Sequence, residues 1–446
     1  MWLTPRKICC TASNRLRRFT ASLTTIKKRK QKNLRLTLRY QLVKYFVQLL
    51  KEYKSELSAE LESILNYWME HTPDEKNGGF IGKADNTNKI DFEAPKGSVL
   101  NARILWSFSA AYNLTGKPEY ARYANRAFDY ILEYFIDKEH GGVFWTVDYT
   151  GKPLDTKKQV YAIAFTIYAL SEYYVASGIE KSRKLAIELF TLLVDKSFDK
   201  AHTGYFEAFG RDWTETGDLR LSAKDANEKK TMNTHLHVLE AFTNLFRIWP
   251  DNSLKNHIQL LIGNFLDHII DKNNSHLILF FDENWNQKSD IVSYGHDIEA
   301  AWLLLEAAEV IDDFNLIAKT EQSAINMALA STEGLDSDGS LFYESEPSHH
   351  KLIREKHWWV QAEAMVGFFN AWQLTGSKQY LQHSIDAWEY TKSKILDKKY
   401  GEWLWGIDEE GNIMQSEDKV GIWKCPYHNS RACIEIVKRI SNFSSL

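Results

Sequence analysis

Three histidines in this sequence stand where an imidazole can move protons. In residues 293–310 a loop ending at Gly295 delivers His296 to the start of an apolar helix, and helical spacing places Glu299 one turn on, over the same face. A carboxylate there would fix the ring's tautomer and raise its pKa, so that it gains and loses a proton near neutrality. Residues 231–241 put Asn233, His237 and Glu240 on one helical face and turn His235 away from it. Residues 422–432 repeat the design, with a loop, then His428, then Arg431 about one turn later. Each of these alone also reads as a satisfied histidine at a helix start; the three together predict one acid/base site.

The elements that must position them recur along the chain. Turns containing glycine and followed by aromatic residues occur at Gly79-Phe80, Gly142-Val143-Phe144-Trp145, Gly204-Tyr205-Phe206, Gly339-Ser340-Leu341-Phe342-Tyr343 and Gly401-Glu402-Trp403-Leu404-Trp405, with a degenerate copy at Leu277–Phe281. With marks at residues 79, 142, 204, 279, 339 and 401 the spacing is close to constant, which is the signature of an internal repeat. Between marks lie two helix-length amphipathic segments. Val99–Asn113 runs to Leu114-Thr115-Gly116 and is followed by Pro118–Phe135; Glu363–Gln373 runs to Leu374-Thr375-Gly376 and is followed by Lys378–Leu396. Six repeats of two helices predict an all-α chain closed as an (α/α)6 barrel, with short strands and turns at one rim. An open solenoid is the competing arrangement, and a period near 60 residues is long for one. In the ring, Arg103, Tyr161, His237, His296, Trp359 and His428 would each come from a different repeat, near the start of its first helix, and converge on one concave site.

Composition narrows the function. The chain has 446 residues, 44% of them hydrophobic, with 15 Trp and 21 Tyr, enough for a large core and for a cleft that stacks on sugar rings. Residues 1–51 hold 14 Lys or Arg and no acid, while the other 395 residues carry 41 basic and 59 acidic side chains. An acidic body argues against nucleic acid as a partner and suits a neutral small substrate. We expect residues 1–40 to be a disordered or non-native basic extension without chemistry, and 41–446 to be one barrel domain. Four cysteines in two distant pairs, Cys9-Cys10 and Cys425 with Cys433, do not form a disulfide framework, and no apolar run reaches membrane-spanning length. A cytoplasmic monomer, free of membrane and nucleic acid, is the expectation.

The motifs carrying the candidate residues are Asn-Ala-Arg103, Met-Asn233-Thr-His-Leu-His237, Tyr-Gly-His296-Asp-Ile-Glu299-Ala-Ala-Trp302, His-Trp-Trp359-Val-Gln-Ala-Glu363 and Trp423-Lys-Cys-Pro-Tyr-His428-Asn-Ser-Arg431. In order and spacing the chain from about 41 to 440 resembles the N-acylglucosamine 2-epimerase superfamily, and within it the branch acting on disaccharides. The resemblance implies reversible epimerisation at C2 of the reducing-end glucose of β-1,4-linked disaccharides such as cellobiose and lactose, with no required metal or nicotinamide cofactor. It implies His296 and His428 as general acid/base catalysts, and Arg103, Tyr161, Asn233, His237, Glu299, Trp359, Trp423 and Arg431 as groups that bind or orient the sugar. His237 is grouped with the catalytic histidines because it can donate to the oxygens of an enediolate.

Plainer roles compete for several of these residues. Arg103 can also be read as an interhelical ion pair, though its place in the repeat favours the site; Trp302 reads as core; and His235 with His237 could suggest a metal pair, but i and i+2 diverge on a helix and no metal is expected. Of the adjacent Trp358 and Trp359, one at most can face a sugar, and Trp359 is the choice. Rival functions are an inverting glycoside hydrolase using Glu299 and Glu363, a sister enzyme acting on N-acetylglucosamine or mannose, and a non-catalytic glycan- or protein-binding ring.

Overall fold

The computed structural model describes residues 32–444, with side chains from about residue 46 onward. Twelve helices among these residues alternate between an outer and an inner layer: α1 (Lys32–His71), α2 (Ser98–Thr115), α3 (Pro118–Tyr130), α4 (Val160–Ser177), α5 (Glu180–Lys196), α6 (Met232–Ile248), α7 (Asn252–Asn264), α8 (Tyr294–Val310), α9 (Phe314–Ala330), α10 (Trp358–Thr375), α11 (Lys378–Tyr390) and α12 (Tyr427–Ser444). The even-numbered helices pack each against the next, α12 packs back on α2, and the inner ring closes. The odd-numbered helices cover it from outside, α1 lying against α12. This is the expected (α/α)6 barrel. The expectation for the basic extension falls largely on residues 1–31, outside the described residues, and the boundary set at residue 41 lies within α1.

Sequence separates the layers. Inner helices such as α2, α4 and α10 are apolar almost all round, and nearly every residue of their first four turns is buried. Outer helices show one apolar stripe, as in α3, where Tyr120, Ala124, Ala127 and Phe128 face inward. The Leu-Thr-Gly segments end α2 and α10 through Gly116 and Gly376, whose left-handed φ of 70° and 72° lets their N–H groups bond to Tyr112 and Trp372. The helices α3, α7 and α11 each finish in one π turn, at Ile131–Phe135, Phe265–Ile269 and Thr391–Ile395.

The rim is built from the glycine and aromatic turns. Bridges at Pro73–Phe80, Ile136–Val143, Phe198–Tyr205, Ile270–Leu277, Leu335–Leu341 and Leu396–Trp403 repeat six times, which moves the fourth mark from residue 279 to His276. Two-residue strands lead directly into inner helices and pair antiparallel with a strand of the following repeat: Lys96–Gly97 with Thr146–Val147, Lys158–Gln159 with Ala208–Phe209, Lys230–Thr231 with Phe280–Phe281, Val292–Ser293 with Glu344–Ser345, and Lys356–His357 with Gly406–Ile407. Because each strand runs straight into its helix, the N-termini of these inner helices gather at the same rim. Ion pairs lock five of the six turns to the segment that leads into the inner helix: Lys96–Asp74, Lys158–Asp137 and Lys230–Asp199 at 2.8 Å, Lys356–Asp336 at 2.6 Å and Lys419–Asp397 at 2.5 Å. The fourth repeat has Val292 where the others have lysine. Among the described residues no helix is long and apolar enough to cross a membrane.

Candidate active site

Every sequence-predicted site residue lies at this rim, in the first turns of the inner helices or in the loop before α12. Arg103 on α2 is buried and donates through Nη2 to the Tyr161 hydroxyl of α4 at 2.8 Å. Its guanidinium lies over Phe165 at 4.2 Å and Tyr427 at 4.9 Å and has no carboxylate within ion-pair distance among the described residues, so the structure gives it no interhelical ion pair. Tyr161 meets His237 edge-on at 5.1 Å and Trp423 at 6.0 Å. Trp359 touches both further histidines, its ring 4.7 Å from His296 and 5.7 Å from His428. Trp358 is turned away and packs on Trp405, whereas Trp302 is core that braces the site, its Nε1 donating to Glu363 at 3.3 Å. His235 points outward as expected and accepts the Tyr205 N–H at 2.9 Å.

The centre is one buried guanidinium among three carboxylates. Arg431 Nη1 donates to Glu240 Oε1 and to the Tyr427 hydroxyl, and Nη2 to Glu299 Oε1 and, at 2.6 Å, to Glu363 Oε1. Two histidines hang on the same network: His237 Nδ1 lies 2.9 Å from Glu240 Oε2, and His428 Nδ1 lies 2.8 Å from Glu363 Oε1. Glu240, Glu363 and Tyr427 are thus central; spacing along the chain put Glu240 on the face of His237 but did not single out Glu363 or Tyr427. The signal available was three acidic residues on apolar inner helices, each in need of a buried cation.

The structure corrects the expectation for His296. Its Nδ1 is bonded to Ser293 Oγ at 2.8 Å, and Glu299 turns to Arg431 instead. A neutral imidazole competes poorly with a guanidinium for a buried carboxylate. The pKa moves opposite to the expected direction: burial, aided by nearby His237, brings His296 down to about 3. Burial and the positive charges of Arg103 and Arg431 likewise hold His428 well below its ordinary value. Burial and the Glu363 charge push Glu299 up to about 7 against the pull of Arg431. Against the same burial, Arg431 and His237 keep Glu240 below the usual carboxylate range.

Ligand atoms of Glu299, Glu363 and His428 come within 4.8 Å of one another, a spacing that would suit a cation. The Arg431 guanidinium already takes both carboxylates there. Among the site residues four buried polar atoms are left without a partner, Arg103 Nε, Asn233 Oδ1, Glu299 Oε2 and Arg431 Nε. Unspent donors and acceptors in a site with the half-buried Trp359 and Trp423 suit a polyhydroxylated ligand.

Residues 79–432 match the N-acylglucosamine 2-epimerase (GlcNAc 2-epimerase) family. The chain is 50% identical over 385 residues to a cellobiose 2-epimerase of Bacteroides fragilis, covering 86% of this chain and 98% of that protein. It is 41% identical over 395 residues to a cellobiose 2-epimerase of Dictyoglomus turgidum, covering 88% of this chain and all of that protein. Among solved structures, the cellobiose 2-epimerase of Bacillus thermoamylovorans superposes with a TM-score of 0.84 at 39% identity, over 87% of this chain and 100% of that one. With the closed ring, the rim site and these matches together, the chain belongs to the N-acylglucosamine 2-epimerase family.

Proposed function

We propose that this protein is a carbohydrate epimerase that inverts C2 of the reducing-end glucose of β-1,4-linked disaccharides, converting cellobiose to glucosyl-mannose and lactose to epilactose. The observation that carries the reading is the packing of His296 and His428 against one indole, Trp359, which puts two imidazoles at a single site. Likeness to the two bacterial cellobiose 2-epimerases supports the disaccharide as substrate.

The geometry suits the chemistry. Ring opening exposes the C1 aldehyde and makes the C2 proton acidic; a base removes it, and the enediolate is reprotonated from the opposite face. Depressed pKa values leave both histidines neutral and ready to act as bases. Glu363 on Nδ1 of His428 leaves Nε2 toward the sugar and stabilises the imidazolium that must return a proton. As negative charge accumulates on the enediolate, it favours that protonated form. Arg103, Asn233 and His237 supply donors for the oxygens, and inner-helix N-termini, each equivalent to roughly half a positive charge, face the same region. Trp359 and Trp423 offer ring faces for the two sugars.

The inverting hydrolase fits poorly. It needs carboxyl groups about 6.5–9.5 Å apart, whereas Glu299 and Glu363 approach within 4.8 Å and share Arg431. Incubation with cellobiose in D2O, followed by proton NMR and product separation, tests the proposal. The mannose-ended disaccharide with deuterium at C2 is expected. Release of glucose would favour hydrolysis, and unchanged cellobiose and lactose would move the trial to N-acetylglucosamine and mannose.

A further inference from the structure

Each rim turn shares one backbone bond at the same place. Asp74, Asp137, Asp199, Asp271, Asp336 and Asp397 donate their N–H to the carbonyls of Gly79, Gly142, Gly204, His276, Ser340 and Glu402. The first three acceptors are glycines with φ of 62°, 73° and 81°. A side chain has no room there: a Cβ on Gly79 would fall 2.6 Å from the Tyr130 ring, and one on Gly204 would fall 2.7 Å from His235 Nε2. Repeats four and six, which deliver His296 and His428, carry His276 and Glu402 at this position. Glu402 keeps the left-handed backbone, with φ of 62°, that favours glycine.

Both side chains reach the residue that follows a site histidine. His276 Nδ1 lies 2.6 Å from Asp297 Oδ2, and its Nε2 lies 3.4 Å from Glu333 Oε2; Asp297 Oδ1 also accepts the Leu277 N–H at 2.8 Å. Glu402 Oε1 accepts from Asn429 Nδ2 at 2.6 Å, from Lys424 Nζ at 2.9 Å and from the Trp403 N–H at 2.9 Å, while Oε2 accepts from Trp68 Nε1 at 2.6 Å. His276, Asp297, Glu402 and Asn429 are all buried. Repeats three and five are tied from the helix side by neutral groups: His235 accepts the Tyr205 N–H at 2.9 Å, and Gln361 accepts the Leu341 N–H at 2.9 Å and donates to the Leu341 carbonyl at 2.8 Å. The repeats that deliver His296 and His428 add a titratable side chain from the turn, which gives charge-assisted and therefore stronger bonds.

We propose that His276 and Glu402 are positioning residues of the reaction, which lock the first turns of α8 and α12 through Asp297 and Asn429 so that His296 and His428 face the same sugar carbon. This rests on the acid/base assignment of those two histidines. Turnover needs both imidazoles aligned in the transition state, and a displacement near 1 Å costs on the order of 100-fold. Loss of a lock therefore falls on kcat and leaves KM in place.

Steady-state kinetics on cellobiose with the full chain test the proposal, using His276→Leu, His276→Asn and Glu402→Gln, with Asp137→Asn as a destabilised control and with His296→Ala and His428→Ala alongside. An asparagine amide takes the place of Nδ1 and keeps the bond to Asp297; leucine does not. We expect His276→Leu and Glu402→Gln to lower kcat about 10- to 100-fold with KM within about twofold, His276→Asn to recover most of kcat, and Asp137→Asn to lose thermal stability but not kcat. Equal activity of His276→Asn and His276→Leu, unchanged kcat in the folded His276→Leu and Glu402→Gln proteins, or an equal kcat loss in Asp137→Asn would overturn the proposal. If His296→Ala and His428→Ala remain active, the acid/base assignment itself fails; if they are inactive while the His276 and Glu402 variants are not, only the positioning role fails.

Discussion

Arg431→Met removes the one guanidinium to which Glu240, Glu299 and Glu363 are bonded, at a residue that is 1% exposed. Breaking a buried ion pair by deleting one partner costs about 3–5 kcal/mol, because the remaining charge is left uncompensated. With an unfolding entropy of about 2.1 cal/mol/K per residue, a chain of 446 residues loses about 1 °C of Tm per kcal/mol, so the expected drop is about 3–6 °C. Its pH dependence has a definite sign. In the native protein Arg431 helps to hold Glu240 ionised below its ordinary pKa, a contribution present above the unfolded value near 4.5 and lost in acid. Glu299 and Glu363 already stand above that value in the native protein; in the variant they rise further and Glu240 joins them, so the variant loses more stability as pH rises above about 4.5. The gap between native and variant Tm should therefore widen from pH 5.5 to pH 8.5. Differential scanning calorimetry across that range measures it, and a gap that stays constant or narrows would refute the charge-balance argument.

Three further outcomes follow from the same site. Glu363→Gln removes the charged acceptor that fixes Nδ1 of His428, and should lower kcat about 100- to 10,000-fold with little change in KM or circular dichroism. Since His296 lies near 3 and His428 is also depressed, the acid limb of kcat/KM should fall well below pH 6.5 in rate measurements from pH 4.5 to 9; an apparent pKa at or above 6.5 would contradict the neutral resting state. Trp359→Ala takes away a sugar-facing indole that also backs both imidazoles, so steady-state kinetics should show KM rising and kcat falling together.

Much of the architecture was legible because it rests on local patterns. Left-handed glycines end α2 and α10 where Leu-Thr-Gly occurs, since few other residues adopt that backbone at low cost. The glycine and aromatic turns mark each repeat because the space beside Gly79 and Gly204 is filled. Helix starts were less sharp: α10 begins at Trp358, five residues before the apolar period suggested, because an inner helix is buried on all faces and shows little periodicity there.

The sequence by itself determined which residues stand at the rim, since six helix starts at a regular spacing must meet when the ring closes. Partnership was decided only by the tertiary structure. Glu299 is three residues from His296 along the chain, yet it binds Arg431, 132 residues away, because a buried carboxylate takes the full charge of a guanidinium over a neutral imidazole. Closure of α12 against α2 and α10 delivers that guanidinium between carboxylates from α6, α8 and α10, and the same enclosure strips water from His296 and His428 and lowers their pKa values. Helical spacing says which side chains are near one another on a single helix; desolvation and the cation from a distant repeat decide which of them bond.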